Sequence, residues 1–394
     1  MVRYEEIRED ARVLPFYGRR RLLRYADCFR DLSDVYLKCV SEQMNDKRDR
    51  RQALEYSRIY DNEVRMSKRL LQIADRIRVI ADENITYSLP PRNKIRALRI
   101  LLREHGIRLK EIFFIKKEAG TEIALTMMGS KEADYTTDEI AEALGKIFSM
   151  PIVSARDNFY FVSYEFDTYL FETRPPYILE SGYAVVPKET EKISGDNYLF
   201  FDRSESDRYV ILSDGAGSGE CAHKDSEFVL DYFVRYLETG FTMYEASSMV
   251  NSIFLSGYRE VNMPTLDACH VDLRTGTAHF IKYGAVNTYI RRRNMVEVIE
   301  NRGFPLGFRE NEEDVIVSPV YDLSGGEVCI MISDGILECF RDESDFRELL
   351  LKTSVFDPVV LSATLMQYVI GLTQGKIRDD MTILAFRIKE RNTD

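Results

Sequence analysis

The chain has no tryptophan, only four histidines, and six cysteines without a single Cys-x-x-Cys pair in 394 residues. Those shortages exclude a zinc-finger layout and a disulfide scaffold, so Cys28, Cys39, Cys221, Cys269, Cys329 and Cys339 read as reduced, mostly buried thiols of a cytosolic protein. No apolar run approaches the ~18 residues of a membrane span, and the opening Met-Val-Arg-Tyr-Glu-Glu lacks the layout of a signal peptide. These features predict a cytoplasmic protein without a transmembrane segment. Excess positive charge is missing too: the net charge is −11, which argues against nucleic-acid binding because that depends on neutralising phosphates. The short basic stretch Arg19-Arg20-Arg21 with Arg24 reads as an exposed helix face. With 45% hydrophobic and 30% charged residues, the chain is globular and long enough for two or three cores.

Glycine and proline are absent from Arg19 to Leu89, a charged stretch that reads as long helices. Leu70, Ala74, Ile77 and Ile80 or Ala81 mark an apolar stripe on the last of them, and Pro90-Pro91 closes the segment. Next come a helix from Asn93 to about His105, a strand pair turning at Gly120, and a helix opened by Thr136-Thr137-Asp138-Glu139 in capping-box style. Strands follow around Ile152 to Ala155, Phe159 to Tyr164 and Leu170 to Glu172. From Ser181 the texture is strand, turn, strand, with helices at Ser226 to Leu237, Met243 to Phe254, Phe346 to Thr353 and Pro358 to Thr373. The pattern predicts an α+β protein. Residues 1–90 form a helical region, 91–180 a small α+β regulatory module, and 181–390 an antiparallel β-sandwich flanked by helices.

What stands out against this background is an apolar strand ending in Ser-Asp-Gly that occurs twice, Tyr209 to Gly215 and Val328 to Gly335. A third acidic cluster, Asp379-Asp380, leads into the apolar run from Met381 to Ile388. One Asp-Gly alone reads as a turn, with glycine supplying positive φ. Three carboxylate clusters at the ends of core strands are another matter, because carboxylates beside a core are costly until something positive neutralises them. Oxygen-only ligation points to Mg²⁺ or Mn²⁺. Two ions sharing a carboxylate would activate a water for in-line attack on phosphorus.

The series Ser194-Gly195-Asp196-Asn197-Tyr198, Ser213-Asp214-Gly215-Ala216-Gly217-Ser218-Gly219-Glu220, Thr265-Leu266-Asp267-Ala268-Cys269 with Val271-Asp272-Leu273, Gly303-Phe304-Pro305-Leu306-Gly307, Ile332-Ser333-Asp334-Gly335-Ile336 and Asp379-Asp380-Met381-Thr382 resembles the metal-dependent PP2C-type serine/threonine phosphatases. Within them it is most similar to the bacterial stage II sporulation protein E group. The resemblance covers residues 181 to 390, and more loosely the preceding module through Leu101 to Ile107 and Ile140 to Gly145. It implies that Asp214 bridges two Mn²⁺ or Mg²⁺ ions and that the Gly215 carbonyl joins it. Asp334 and Asp379 would complete the other ion's shell, with Asp380 adjacent and Asp196 acting through water. Asp214, Asp334 and Asp379 are thus the implied catalytic set.

By the same resemblance the activity would be phosphoserine/phosphothreonine protein phosphatase. The substrate would be a phosphorylated anti-anti-sigma factor, in a sporulation-type, sigma-regulating partner switch. Two departures qualify this. Ala216 stands where many eukaryotic relatives carry a histidine, and nearby His223 reads as a surface or helix-start residue. The multi-helix membrane region of the sporulation phosphatase has no counterpart in this sequence, so membrane tethering is not carried over.

The alternative is a pseudophosphatase acting as a regulatory interaction protein. The glycine run 215–219 lacks the Lys-Ser/Thr of a P-loop, and Glu220 would repel phosphate, which disfavours nucleotide binding there. Gly303 to Gly307 as bare sequence is a Pro/Gly turn. The helix from about Val64 to Ala81 and the α+β module are expected to regulate the phosphatase domain through a two-state helix, and the long amphipathic helices point to a homodimer.

Overall fold

The computed structural model describes residues 22–31, 33–34, 50–82, 86–117, 120–131, 133–255, 263–300, 303–308 and 316–391. Arg19-Arg20-Arg21 and Cys39 lie outside them. The chain forms two compact units, Met1–Arg174 and Pro175–Asp394.

In the first unit a glycine- and proline-free stretch forms the 33-residue helix α1 (Arg50–Asp82). Its buried positions Ser67, Ala74 and Ala81 recur every seven residues, so small side chains line the face turned to helical residues 22–34. The two segments run antiparallel: Ser33 Oγ donates to the Ser67 carbonyl at 3.0 Å, Arg30 pairs with Asp75, and Asp27 pairs with Arg78. After β1 (Thr86–Ser88) come α2 (Arg92–Glu104), the long hairpin β2 (Ile107–Lys117) and β3 (Gly120–Gly129), α3 (Thr137–Phe148), β4 (Ile152–Ser154) and β5 (Asp167–Thr173). The strands make one antiparallel sheet in the order β1-β2-β3-β5-β4. Ile95, Leu98 and Leu102 of α2 and Ile140 and Leu144 of α3 close its core against Leu125, Met127 and Phe171. The capping box at Thr136 and Glu139 is present, with both reciprocal bonds made.

Phe159 to Tyr164, which the aromatic content marks as a strand, is a loop. Its single ladder contact is an isolated bridge from Phe161 to Thr136, and Phe159, Tyr160 and Tyr164 are 63–70% exposed. Aromatic residues favour strands because they fit a half-buried pleated surface, and without a paired neighbour that preference has nothing to act on.

The second unit starts earlier than residue 181, because β6 (Tyr177–Val186) pairs along its whole length with the C-terminal strand β16 (Met381–Glu390). Between them lie β7 (Asp196–Asp202), β8 (Asp207–Asp214), α4 (Gly219–Glu238), α5 (Met243–Leu255), β9 (Leu266–Asp272), β10 (Thr277–Tyr283), β11 (Thr288–Arg291), β12 (Val296–Ile299), β13 (Ile316–Val317), β14 (Tyr321–Asp322), β15 (Val328–Ile332), α6 (Asp334–Leu337), α7 (Glu343–Lys352) and α8 (Pro358–Leu372). One antiparallel sheet runs β13-β10-β9-β8-β7 with β14 on β10, and the other runs β12-β11-β15-β16-β6.

The inner faces meet in a core of Val210, Leu212, Cys269, Val271, Phe280, Met331, Leu384 and Phe386. Phe346 of α7 and Leu361, Leu365 and Val369 of α8 cover the outer face of the second sheet, and α4 lies along β7 and β8 of the first. Strands buried on both faces explain the unbroken apolar runs. The fold is α+β, a helix-flanked antiparallel sandwich. Of the cysteines, Cys269 and Cys329 are buried whereas Cys28 and Cys221 are exposed, so burial is not their general state.

Within the sandwich a charged pair is fully enclosed. Lys282 Nζ donates to Asp267 Oδ2 and to Thr288 Oγ1 at 2.8 Å, and Thr288 Oγ1 donates to Asp267 Oδ2 at 2.7 Å. Lys282 and Asp267 are both 0% exposed. Cross-strand pairing of Asp267 with Lys282 brings the pair together.

Candidate metal centre

Strand register builds the site. Asp196 opens β7 and Asp214 closes β8, and the antiparallel ladder sets the two directly opposite each other. Asp334 follows Ser333, the first residue past β15, and Asp379-Asp380 precede β16, which pairs with β15 through Ile332 and Ile383. All the acidic ends therefore emerge at one end of the sandwich. The junction is knitted by Ser333: its N–H donates to the Thr382 carbonyl at 3.0 Å, and its Oγ accepts from the Thr382 N–H at 2.9 Å. Thr265 does the same for the other sheet. Its Oγ1 accepts from the Asp214 N–H at 3.0 Å, and its own N–H donates to the Asp214 carbonyl at 2.8 Å.

The carboxyls act on one another in a chain: the charges of Asp196 and Asp334 bear on Asp214, and that of Asp379 bears on Asp334. Burial first, and then Asp196 and Asp334, push the Asp214 carboxyl up to about 10. Asp196, 4% exposed, is raised to about 6, again by burial, although the hydrogen bond from Thr382 pulls the other way. Asp334 is raised by its desolvated surroundings and then by Asp379, even though its side chain keeps access to solvent. Without a cation Asp214 therefore holds a proton at neutral pH, which lowers the charge that the cluster must bury.

Within the cluster one oxygen is orphaned, as Asp267 Oδ1 is elsewhere in the sandwich: Asp196 Oδ2 accepts from Thr382 Oγ1 at 2.6 Å, whereas buried Asp196 Oδ1 has no partner. A buried acceptor without a donor costs free energy until water or a cation reaches it. Among the described residues no three His, Cys, Asp or Glu side chains already stand as a ready cation cage. The donor set is nonetheless all oxygen and anionic when deprotonated, as a hard divalent cation requires. Asp196, Asp214, Asp334 and Asp379, with the Gly215 carbonyl, are the groups that could hold such ions.

Asp380 does something different. Its Oδ1 accepts from the Lys188 N–H at 2.9 Å and its Oδ2 from the Gly195 N–H at 2.8 Å, so it clamps the loop that presents Asp196. Neither Gly215 nor Gly335 has positive φ. They are glycines because a Cβ on Gly215 would lie 2.0 Å from the Ala222 carbonyl oxygen, and one on Gly335 would lie 2.2 Å from that of Asp380. The Ser-Asp-Gly strands thus end in close backbone approaches, not in glycine turns.

Local sequence explains the remaining features. His223, on α4, donates from Nδ1 to the Ser194 carbonyl at 2.8 Å, which ties that helix to the same loop. Helix α4 begins at Gly219 within the glycine run, but its first turn carries Glu220, and the Glu191 carboxylate sits against Gly219, so the helix start repels anions. The Gly303–Gly307 segment is anchored: the Leu306 N–H donates to the Pro264 carbonyl at 3.0 Å, and the Gly307 N–H donates to Asn251 Oδ1 at 2.7 Å. A cavity of about 300 Å³ opens beside the cluster, with Gly335, Lys376, Arg378 and Asp379 among its walls. A larger one, between Cys339 and Tyr368, has none of the clustered carboxylates in its lining. Ser333, Thr382 and Thr265 were not singled out as site residues from sequence. Their only signal was adjacency to the acidic positions.

Residues 204–389 match the family model described as Stage II sporulation protein E (SpoIIE). Over that stretch the second unit is similar to the PP2C-type domain of SpoIIE. Stage II sporulation protein E of Bacillus subtilis (strain 168) is 28% identical over 301 residues, 74% of this chain and 35% of that protein. The Priestia megaterium protein of the same name is 28% identical over 218 residues, 54% of this chain and 37% of that protein. The chain thus spans little more than a third of the length of these curated relatives. A solved structure of the PP2C phosphatase domain and a fragment of the regulatory domain of SpoIIE from Bacillus subtilis covers 88% of this chain and 100% of its own, with a TM-score of 0.62 and 23% identity, which shows the shared fold. The matched stretch carries Asp214, Asp334 and Asp379 of the strand ends described above. Among the described residues no helix is long and apolar enough to cross a membrane.

Proposed function

We propose that the protein is a Mn²⁺- or Mg²⁺-dependent phosphoserine/phosphothreonine protein phosphatase. The observation that carries this reading is the chain of coupled strand-end carboxylates with one buried oxygen, Asp196 Oδ1, left without a donor. The match of residues 204–389 to the SpoIIE family model supports it. Asp214 would be shared between two ions and Asp334 and Asp379 would hold the second, with the Gly215 carbonyl and Asp196 supporting the first. Asp380 holds the Lys188–Gly195 loop and orients Asp196. Bound ions of this kind supply Lewis-acid polarisation of a phosphoryl group and activation of water. His223 Nδ1 is committed to the Ser194 carbonyl and Ala216 has no titratable group, so neither is assigned the protonation of the leaving alkoxide. The substrate class is a phosphorylated anti-anti-sigma-like protein, and the first unit is the regulatory part of a cytoplasmic homodimer.

Purified protein with Mn²⁺ is expected to hydrolyse p-nitrophenyl phosphate and a phosphoserine protein, and Asp214→Asn or Asp334→Asn to abolish both activities. Hydrolysis that survives removal of metal would overturn the assignment. A second reading, a regulatory protein that keeps the fold without turnover, is favoured by the absence, among the described residues, of a ready three-residue cage. Calorimetric titration separates the two: no Mn²⁺ binding at millimolar concentration selects the second. Sedimentation velocity tests the dimer, and activity after removal of residues 1–174 tests regulation by the first unit.

A further inference from the structure

Away from the carboxylates, the first unit carries a cationic pocket that the phosphatase reading leaves unused. From Arg92 to Arg108 the chain has six basic residues and one acidic residue, in a protein of net charge −11. The helix α2 turns Ile95, Leu98 and Leu102 into the core, so the remaining positions at spacings of three and four, Arg96, Arg99, Ile100 and Arg103, share the opposite, exposed face. The turn at Gly106, with φ of 72°, sends the chain straight into β2, where Ile107 and Leu109 point to the core and Arg108 points out. Arg108 faces Met128 across the ladder. Together these residues line a cavity of about 470 Å³, within the usual range for small-molecule sites.

Four guanidiniums thus converge on one pocket with an apolar wall of Ile100 and Met128. Among the described residues no ion pair or side-chain hydrogen bond engages Arg96, Arg99, Arg103 or Arg108, whereas elsewhere in the unit Arg30 and Arg78 are paired with aspartates. A solvated basic face would account for scattered arginines on a convex surface. It does not account for four unneutralised charges crowded into a concavity, where like charges repel and an acidic chain has ample carboxylate to spare. Guanidinium forks match phosphate oxygens two bonds at a time and stack on planar rings, while Ile100 and Met128 offer contact to an apolar body. We propose that this pocket binds a phosphorylated organic anion of nucleotide size. The open sides of the pocket, set by exposed Arg96, Arg99 and Arg103, allow entry without rearrangement of the core.

The test is calorimetric titration of the intact chain in EDTA, so that no divalent ion draws phosphate to the carboxylate cluster. The probes are ATP, GTP and inorganic pyrophosphate. At least one nucleotide is expected to bind at a single site in the micromolar range, and pyrophosphate about tenfold or more weaker because it lacks a body for the apolar wall. The pair Arg99→Ala with Arg103→Ala should weaken the nucleotide by about tenfold or more, and Arg99→Lys by less, since lysine keeps the charge and loses the fork. Asp214→Asn should bind the nucleotide as the parent does, which separates this site from the phosphatase centre. These arginines are exposed, so circular dichroism of the double variant should match the parent. Absence of saturable nucleotide binding up to about 1 mM would overturn the proposal, as would equal affinity for pyrophosphate or indifference to the arginine pair. Tighter binding to a longer single-stranded oligonucleotide, growing with length, would assign the basic face to nucleic acid instead.

Discussion

Replacing Asp214 with asparagine should stabilise the metal-free protein. In the folded state its carboxyl is pushed up to about 10 from an ordinary value of 3.8, first by burial and then by Asp196 and Asp334. Between those values the folded chain holds a proton that the unfolded chain releases, so stability falls as pH rises through that window. Each pH unit is worth about 1.4 kcal/mol, which makes the penalty at pH 7 about 4 kcal/mol as a ceiling. Asparagine has no charge to desolvate or to repel Asp196 and Asp334. The expected gain is on the order of 2–4 kcal/mol at pH 7, shrinking to nothing near pH 4. Urea denaturation in EDTA from pH 4 to 8 measures it. Saturating Mn²⁺ should offset most of that gain, because at about 100 times its Kd a ligand adds about 2.7 kcal/mol to the parent and little to a variant missing the shared carboxylate. A variant less stable than the parent at pH 7 without metal, or a gain that ignores pH, would refute the reasoning.

Other outcomes follow from the same structure. Lys282→Met should cost about 3–5 kcal/mol because it strands the enclosed Asp267 carboxylate, whereas Lys282→Met combined with Asp267→Leu should recover most of the loss, as a double-mutant cycle by urea denaturation would read. Gly215→Ala should lower the melting temperature by several degrees and cut activity, since its Cβ meets the Ala222 carbonyl oxygen at 2.0 Å and backbone cannot yield cheaply. His279 is lowered from 6.5 to about 4 by burial and then by His270, so the folded state binds its proton less readily than the unfolded state. Stability should therefore drop as pH falls from 6.5 toward 4, and His279→Gln should flatten that part of a pH series of melting temperatures.

Much of this was legible in the chain. Unbroken apolar runs marked the core strands because both faces of each sandwich sheet are covered, by the other sheet and by helices. The glycine- and proline-free stretch marked the long helix, and the Thr136–Glu139 box marked a helix start that needs only local bonds. Phe159 to Tyr164 misled for the complementary reason, since strand preference has force only where a neighbouring strand is in place. The acidic strand ends were visible one at a time, and the family's order of motifs tied them together.

Composition, periodicity and motif order determined by themselves the α+β class and the placing of acidic residues at the ends of apolar strands, both of which depend on contacts between near neighbours or on linear order. Only the tertiary structure decided that Asp196 faces Asp214, that Asp380 is occupied by the amides of Lys188 and Gly195, that the two Asp-Gly glycines make room for backbone, and that Lys282 neutralises Asp267 inside the sandwich. Each of these joins residues far apart along the chain through strand register and burial. A one-residue slip in register would turn the same side chains to the opposite face, so no reading of local pattern reaches them.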